Sequence, residues 1–222
     1  MNYDSQASVV RAPSALQSNK LLRNTYALLS MTLLFSALTA GLSMKFNWPH
    51  PGMMMTLIGY FGLLFLTTKL RNSVWGLASV FALTGFMGLT LGPIINLYLQ
   101  TANGTQVVMQ ALGGTGIIFI ALSAYAIKSE KDFSFMGGFL MVGIIVAFLA
   151  GLGAYFFDMA GLSLAVSAMF VLLMSGLILY QTSAIIHGGE TNYIMATVTL
   201  YITIYNLFVS LLQLIGAFSG ND

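Results

Sequence analysis

The stretch YIMATVTLYITIYNLFVSLLQLIGAF, residues 193–218, decides the fold class of this chain. It runs for 26 residues without an Asp, Glu, Lys, Arg or His. About 20 predominantly apolar residues are enough for a helix to cross the hydrocarbon core of a bilayer. We therefore predict a transmembrane helix over these residues.

Six further apolar segments precede this one, and none of them holds an Asp, Glu, Lys, Arg or His. Of the 222 residues, 58% are hydrophobic and only 6% are charged, whereas about 25% of the residues of a soluble domain are charged. We predict an all-α polytopic membrane protein with seven transmembrane helices in contact with the lipid bilayer. The other six spans are predicted at residues 25–44, 52–68, 74–95, 107–127, 135–157 and 162–186.

The basic residues predict the orientation of the chain. Seven of the eight Lys and Arg residues precede the first span or lie in the second and fourth connections, and the eighth, Lys45, lies in the first connection. By the positive-inside rule, the N-terminus is then cytosolic and the C-terminus outside. The predicted parts are a cytosolic tail over residues 1–24, a transmembrane domain over 25–218 and a short C-terminal tail over 219–222.

Small residues recur at spacings that let transmembrane helices approach each other closely. They are Gly85, Gly88 and Gly92 in the third span and Gly137, Gly138 and Gly143 in the fifth. We interpret them as helix-packing positions. Pro93 should end or kink the third span near the outer surface, because proline has no backbone N–H with which to continue the helix.

The lack of charged residues in the spans excludes several activities that need them. No span offers a lysine for retinal, carboxylates for a proton relay or the ligands of a metalloprotease, and His50 and His187 lie in connections on opposite sides. The chain has no cysteine, which excludes disulfides and thiolate metal sites. A net charge of +2 gives no indication of a nucleic-acid partner. We predict a protein that is not an enzyme and needs no cofactor.

The last span carries polar side chains at steps of four, three, four and three residues. At 100° per residue they fall within an arc of about 80° on one face, opposite a face that carries Tyr201, Tyr205 and Phe208. Such a face should meet other helices or a water-filled cavity rather than lipid. Interhelical hydrogen bonding and a hydrated path or partner groove both remain open. The residues of this polar seam are Thr199, Thr203, Asn206, Ser210 and Gln213.

The connection before the last span reads HGGETN, residues 187–192. His187 and Glu190 are three residues apart, but the two glycines between them break a helix, so the two side chains need not share a face. We interpret the segment as a solvated turn rather than a metal site, with Glu190 favoured at the N-terminal end of the last helix. In the fourth connection we expect local ion pairs among Lys128, Glu130, Lys131 and Asp132.

Four stretches resemble the Bax inhibitor-1 family, also called the lifeguard or TMBIM family. LSAYAIKSEKDFSFMGGFL (122–140) is similar to the family's junction of the fourth and fifth spans, and HGGETNYIMATVTLYITIYNLFVSLLQLIG (187–216) to its last helix. LLRNTYALLSMTLLFSALTAG (21–41) and LGPIINLYL (91–99) fit as well. The motifs occur in the family's order, and the first and last of them look closest to the bacterial YccA branch.

This resemblance implies a fold of seven helices in which the last is central and is wrapped by the other six. It also implies two kinds of function. Some members of the family behave as pH-sensitive calcium leak channels. The YccA branch resembles bacterial inner-membrane proteins that bind an FtsH-type AAA protease as modulators and slow substrates, and HflK and HflC would be further partners.

Two positions bear on the choice between these functions. Calcium-leaking members carry paired aspartates that share a proton, and the matching positions are Gln181 in the sixth span and Thr203 in the seventh. Neither side chain ionises, and calcium prefers several oxygen ligands that usually include carboxylates. We therefore expect a protease modulator, with a cation or calcium leak channel as the alternative. An AAA protease would pull on the N-terminal tail, whose basic residues Arg11, Lys20 and Arg23 also serve topology.

Overall fold

A computed structural model describes residues 15–219, with side chains from residue 20 onward. The described residues contain seven helices that are long and apolar enough to cross a membrane, which confirms the predicted all-α architecture. A short 3-10 turn, Ser134–Met136, precedes the fifth helix. The helices are α1 (Ala15–Lys45), α2 (Met53–Leu70), α3 (Trp75–Leu99), α4 (Gly104–Ser129), α5 (Gly137–Phe156), α6 (Ala160–His187) and α7 (Tyr193–Ser219).

The first helix starts earlier than the predicted span. α1 begins at Ala15, so residues 15–24 of the predicted tail are helical and continuous with the first span. Lys20 and Arg23 lie on this helix with exposed side chains. Arg11, the third basic residue of the tail, lies outside the described residues.

Pro93 lies inside α3, which continues beyond it instead of ending there. The third connection therefore spans residues 100–103 rather than 96–106. Because proline cannot donate a hydrogen bond, the carbonyl oxygen of Leu89, one turn earlier, lacks its helical partner. The hydroxyl of Ser43 on α1 donates to this oxygen at 2.9 Å. The neighbouring helix thus supplies the hydrogen bond that the proline removes, and α3 remains helical.

α7 lies at the centre of the bundle, where it packs against α1, α3, α4 and α6. It contributes Leu200, Leu207 and Leu212 to three separate clusters of buried apolar side chains. α2 packs on the outside of α3, and α5 packs on the outside of α6. The central position of α7 agrees with the expectation. Its main neighbours, however, are four helices rather than six, because α3 and α6 stand between α7 and the two outer helices.

Glycines allow α1 and α3 to approach each other very closely. A Cβ atom at Gly92 would lie 2.7 Å from the carbonyl oxygen of Ala40, which is closer than real Cβ contacts. A Cβ atom at Gly88 would overlap Thr39 Oγ1 and the carbonyl oxygen of Ser36. Side chains at these positions would force the two backbones apart, so the predicted packing role of both glycines is confirmed.

The glycines of α5 divide into two groups. A Cβ atom at Gly143 would meet the side chain of Leu173, and one at Gly137 would meet the ring of Tyr180, both on α6. At Gly138 a Cβ atom meets nothing within 4 Å. The packing interpretation is therefore wrong for Gly138, because this residue lies on the exposed side of the helix rather than against α6.

Gly88→Ala should destabilise the contact between α1 and α3, because the added methyl group meets backbone as well as side-chain atoms. Overpacking of this kind costs about 1–3 kcal/mol of unfolding free energy. Gly113→Ala on α4 is the matched control, because a Cβ atom there meets nothing within 4 Å. Unfolding in detergent micelles measures both variants. Equal stability of the two would contradict the packing role of Gly88.

Candidate functional site along α7 and the loop-six end

The polar seam runs along α7, but most of its side chains bond to their own helix. Thr199, Thr203 and Asn206 each donate to the carbonyl oxygen four residues earlier, at 2.7–2.8 Å. Thr203 and Ser210 are buried, whereas Thr199 is exposed. The seam therefore reaches open space near Thr199 and is closed by packed helices at Thr203.

Gln213 is the seam residue that joins α7 to another helix. Its Oε1 accepts a hydrogen bond from Ser167 at 2.7 Å, and its Nε2 donates to the hydroxyl of Ser163. Both serines belong to α6, one turn apart. At this point the seam serves interhelical hydrogen bonding, the first of the two roles left open by the sequence.

Tyr201 links α7 to two other helices, and it lies on the face opposite the polar seam. Its side chain is 1% exposed. The hydroxyl lies 2.6 Å from Ser36 Oγ on α1 and donates to the carbonyl oxygen of Thr84 on α3 at 3.2 Å. A phenol has one proton, so Ser36 is the donor in the first bond. The available signal was a tyrosine at mid-span, whose hydroxyl needs a partner when buried.

Gln181 and Thr203, the pair singled out by the resemblance, are not hydrogen-bonded to each other within the described part of the chain. Thr203 donates to its own helix, and Gln181 Oε1 is buried without a protein partner. A cavity of about 150 Å³ between α6 and α7 is lined by Gln181, Thr199 and Glu190, among others. An amide and a hydroxyl cannot share a proton as two carboxyl groups can. This pair therefore cannot act as a pH-sensitive switch.

Three connections come together at one end of the bundle: residues 71–74, 130–133 and 188–192. We name this the loop-six end, after the sixth connection (188–192). Ser183 and His187, one turn apart at the end of α6, hold the fourth connection. The backbone N–H of Phe133 donates to Ser183 Oγ at 3.0 Å, and Ser183 Oγ donates to the carbonyl oxygen of Lys131 at 3.2 Å. His187 Nε2 lies 3.0 Å from the carbonyl oxygen of Glu130.

His187 and Glu190 do not form a joint site. Glu190 Oε1 accepts hydrogen bonds from the backbone N–H groups of Thr191 and Asn192, at 2.8 and 2.7 Å. His187 instead turns towards the fourth connection, where its Nε2 lies 3.0 Å from the carbonyl oxygen of Glu130. Among the described residues, no group of three or more His, Cys, Asp or Glu side chains could hold a metal ion.

Asn192, which sequence reasoning did not single out, caps α7 and ties it to the second connection. Its Oδ1 accepts from the backbone N–H groups of Ile194 and Met195 at 2.9 and 3.1 Å, the geometry expected of an asparagine at a helix N-terminus. Its Nδ2 donates to the carbonyl oxygen of Arg71 at 3.1 Å and to Asn72 Oδ1 at 2.8 Å. Asn192 is therefore the residue whose side chain caps α7.

The ion pairs expected in the fourth connection do not form within the described residues. Asp132 Oδ1 instead accepts a hydrogen bond from the backbone N–H of Ser134 at 2.8 Å. This bond is the largest cause of a lowered pKa of Asp132, and hydrogen bonding to the Ser134 hydroxyl and the charge of His187 lower it further. The acid thus shapes the turn before α5 rather than pairing with a lysine.

Comparison with known proteins assigns the family. The family model described as Inhibitor of apoptosis-promoting Bax1 matches residues 18–220, which include all of α2 to α7. The chain belongs to the Bax inhibitor-1 family. It is 56% identical over 202 residues, or 91% of each chain, to an uncharacterized protein of Pseudomonas aeruginosa.

Two of the bacterial relatives that the chain resembles are named YccA. The chain is 52% identical over 209 residues, or 94% of each chain, to the modulator of FtsH protease YccA of Escherichia coli K12. The same values relate it to an Escherichia coli O6:H1 protein named inner membrane protein YccA. Together with its seven membrane-spanning helices, this similarity identifies the chain as a multi-pass protein of the bacterial inner membrane.

Ser183→Ala should loosen the fourth connection at residues 131–133, because the Phe133 N–H loses its acceptor and the Lys131 carbonyl loses its donor. His187 still holds the connection at Glu130. Amide hydrogen exchange at Phe133 should rise about five- to tenfold, the effect of losing one hydrogen bond. Ser175→Ala is the control, because Ser175 bonds only within α6, to the carbonyl oxygen of Val171. Unchanged exchange at Phe133 in the Ser183 variant would rule out this tether.

Proposed function

We propose that this chain is an inner-membrane modulator of an FtsH-type AAA protease, and a slow substrate of it, in membrane-protein quality control. The observation that carries the proposal is the similarity to the modulator of FtsH protease YccA, at 52% identity over 94% of both chains. This similarity extends over the helical bundle and is not confined to one motif. The proposed partners are the protease and, in accord with the family resemblance, HflK and HflC.

The proposed role needs no catalysis by the chain itself. Apart from Trp75 and the basic residues near the helix ends, the polar groups of the helices are Ser, Thr, Asn, Gln and Tyr side chains. Several of these are committed to structural hydrogen bonds, such as those of Tyr201 and Gln213. A modulator acts by binding, for which a packed bundle with exposed helix faces is sufficient. We therefore propose that the chain is not an enzyme.

The distribution of basic residues supports contact with a cytosolic ATPase. The loop-six end collects Lys69, Arg71, Lys128 and Lys131 at the ends of α2 and α4, and α1 enters the bundle there. Positive residues mark the cytosolic side of an inner-membrane protein. We propose that the loop-six end faces the cytosol. The segment before Ala15 would then be the end that the protease pulls.

The cation-leak alternative receives less support. A channel that is gated by pH through paired side chains needs a titratable pair, and Gln181 and Thr203 are not titratable. Thr203 is 0% exposed and hydrogen-bonded to its own helix, so it closes the seam between the cavity at Thr199 and the middle of the bundle. Both features oppose a continuous hydrated path along α7.

Degradation of a model membrane substrate by a purified FtsH-type protease in proteoliposomes tests the proposal. Adding the chain should slow degradation in proportion to the fraction of protease that it occupies. A variant lacking residues 2–14 keeps the whole of α1, so it should slow the substrate equally while being degraded more slowly itself.

The experiment tests the modulator role and the pulling of the N-terminal segment independently. A degradation rate that does not change at any ratio of chain to protease would contradict the modulator role. A normal half-life of the truncated chain would contradict the pulling role of the N-terminal segment and leave the modulator role intact.

A further inference from the structure

A deep lateral groove opens between the two outer helices. α2 and α5 approach each other through Phe61 and Phe148, whose ring centroids lie 6.5 Å apart. Beneath them is a cavity of about 470 Å³, with α3 and α6 as its sides and α7 as its floor. Its volume lies within the range of about 300–1,000 Å³ typical of ligand pockets.

The rim of this groove is apolar and exposed. Phe61 on α2 is 51% exposed, and Ile145 and Leu149 on α5 are 49% and 59% exposed. In an inner-membrane protein these side chains face the hydrocarbon region. The groove is therefore open to whatever lies beside the bundle within the bilayer.

The floor of the groove is not apolar, because Asn206 lies there. Asn206 is the middle residue of α7 (Tyr193–Ser219), so it lies near the middle of the span. Its Nδ2 donates to the carbonyl oxygen of Ile202 at 2.8 Å, but its Oδ1 has no hydrogen-bond partner among the described residues. The hydroxyl of Tyr60, also in the wall, likewise has no partner there. Unpaired polar groups are costly in hydrocarbon, so these atoms call for a polar occupant.

A second groove, between α1 and α4, provides an internal comparison. It encloses about 380 Å³, and four residues with hydroxyl groups line it: Ser36, Thr115, Tyr201 and Tyr205. Each of these has a partner: Ser36 and Tyr201 bond to each other, Thr115 donates to the carbonyl oxygen of Ala111 at 2.7 Å, and Tyr205, which lines both grooves, bonds to Thr90. Acyl chains can fill this second groove without leaving a polar group unpaired.

The two grooves therefore fit different occupants. An acyl chain carries no hydrogen-bond donor, and the polar groups of a phospholipid lie at the membrane surface, far from the midpoint of α7. A transmembrane helix can carry a Ser, Thr, Asn or Gln side chain at the right depth. We propose that one transmembrane helix of the protease packs across the exposed rim formed by α2 and α5 and inserts a donor side chain into the groove, where it bonds to Asn206 Oδ1. This inference rests on the proposed function.

Two variants test the groove, and one serves as the control. Asn206→Leu removes the acceptor at nearly constant volume, and Ile145→Trp fills the groove from its exposed rim without disturbing the core. Leu112→Trp makes the same kind of change at a residue that is 52% exposed and lines the second groove. Binding of each full-length variant to the purified protease is measured in nanodiscs.

The Asn206 variant should weaken binding about three- to twentyfold, the range of interhelical hydrogen bonds in membranes. Ile145→Trp should weaken binding at least as much, and Leu112→Trp should leave it unchanged. Wild-type binding with no effect of either groove variant would overturn the docking surface and leave the proposed function standing.

Other outcomes also decide against the proposal. Loss of binding in the Leu112 variant alone would move the interface to the second groove. Native mass spectrometry of the groove variants detects any co-purified phospholipid. If these variants bind the protease normally but lose the phospholipid, a lipid is the occupant of the groove. No binding by the wild-type chain would overturn the proposed function and the docking surface together.

Discussion

The hydroxyl group of Tyr201 joins three helices at one point, and the centre of the bundle depends on it. It accepts from Ser36 of α1 and donates to the carbonyl oxygen of Thr84 on α3. Lipid tails are as apolar as leucine, so helices in a membrane associate through close packing and hydrogen bonds rather than through burial from water. The bonds of Tyr201 require α1 and α3 to lie close together, and Gly88 and Gly92 make that approach possible.

Hydrogen bonds of uncharged side chains also join the other parts of the bundle. Ser43 supplies the donor that Pro93 cannot, and Gln213 links α7 to two serines of α6. At the loop-six end, Ser183 and Asn192 tie the connections to the ends of α6 and α7. Nearly all of these groups are uncharged. These uncharged side chains thus hold the helices in a fixed arrangement.

Sequence periodicity located the polar seam on one face of α7 but did not identify its bonds. Thr199, Thr203 and Asn206 donate within their own helix, a choice that sequence spacing cannot reveal because the i−4 carbonyl is always in reach. Tyr201 was placed on the face opposite the seam, yet its hydroxyl bonds to α1 and α3. The hydrogen bonds of Ser183 and Asn192 could not be predicted from the neighbouring sequence, because their partners are 50 or more residues away in the chain.

The sequence by itself determined the number of spans, the membrane environment and the family, because these depend on long apolar segments and on motifs that are local in the chain. It also determined that the seven predicted spans hold no Asp, Glu, Lys, Arg or His. The tertiary structure decided which helices surround α7, how α3 continues past Pro93, and where two lateral grooves lie beside the central helix. These features depend on distances between residues far apart in the chain, where the shape of one helix determines which hydrogen bonds its neighbour can complete.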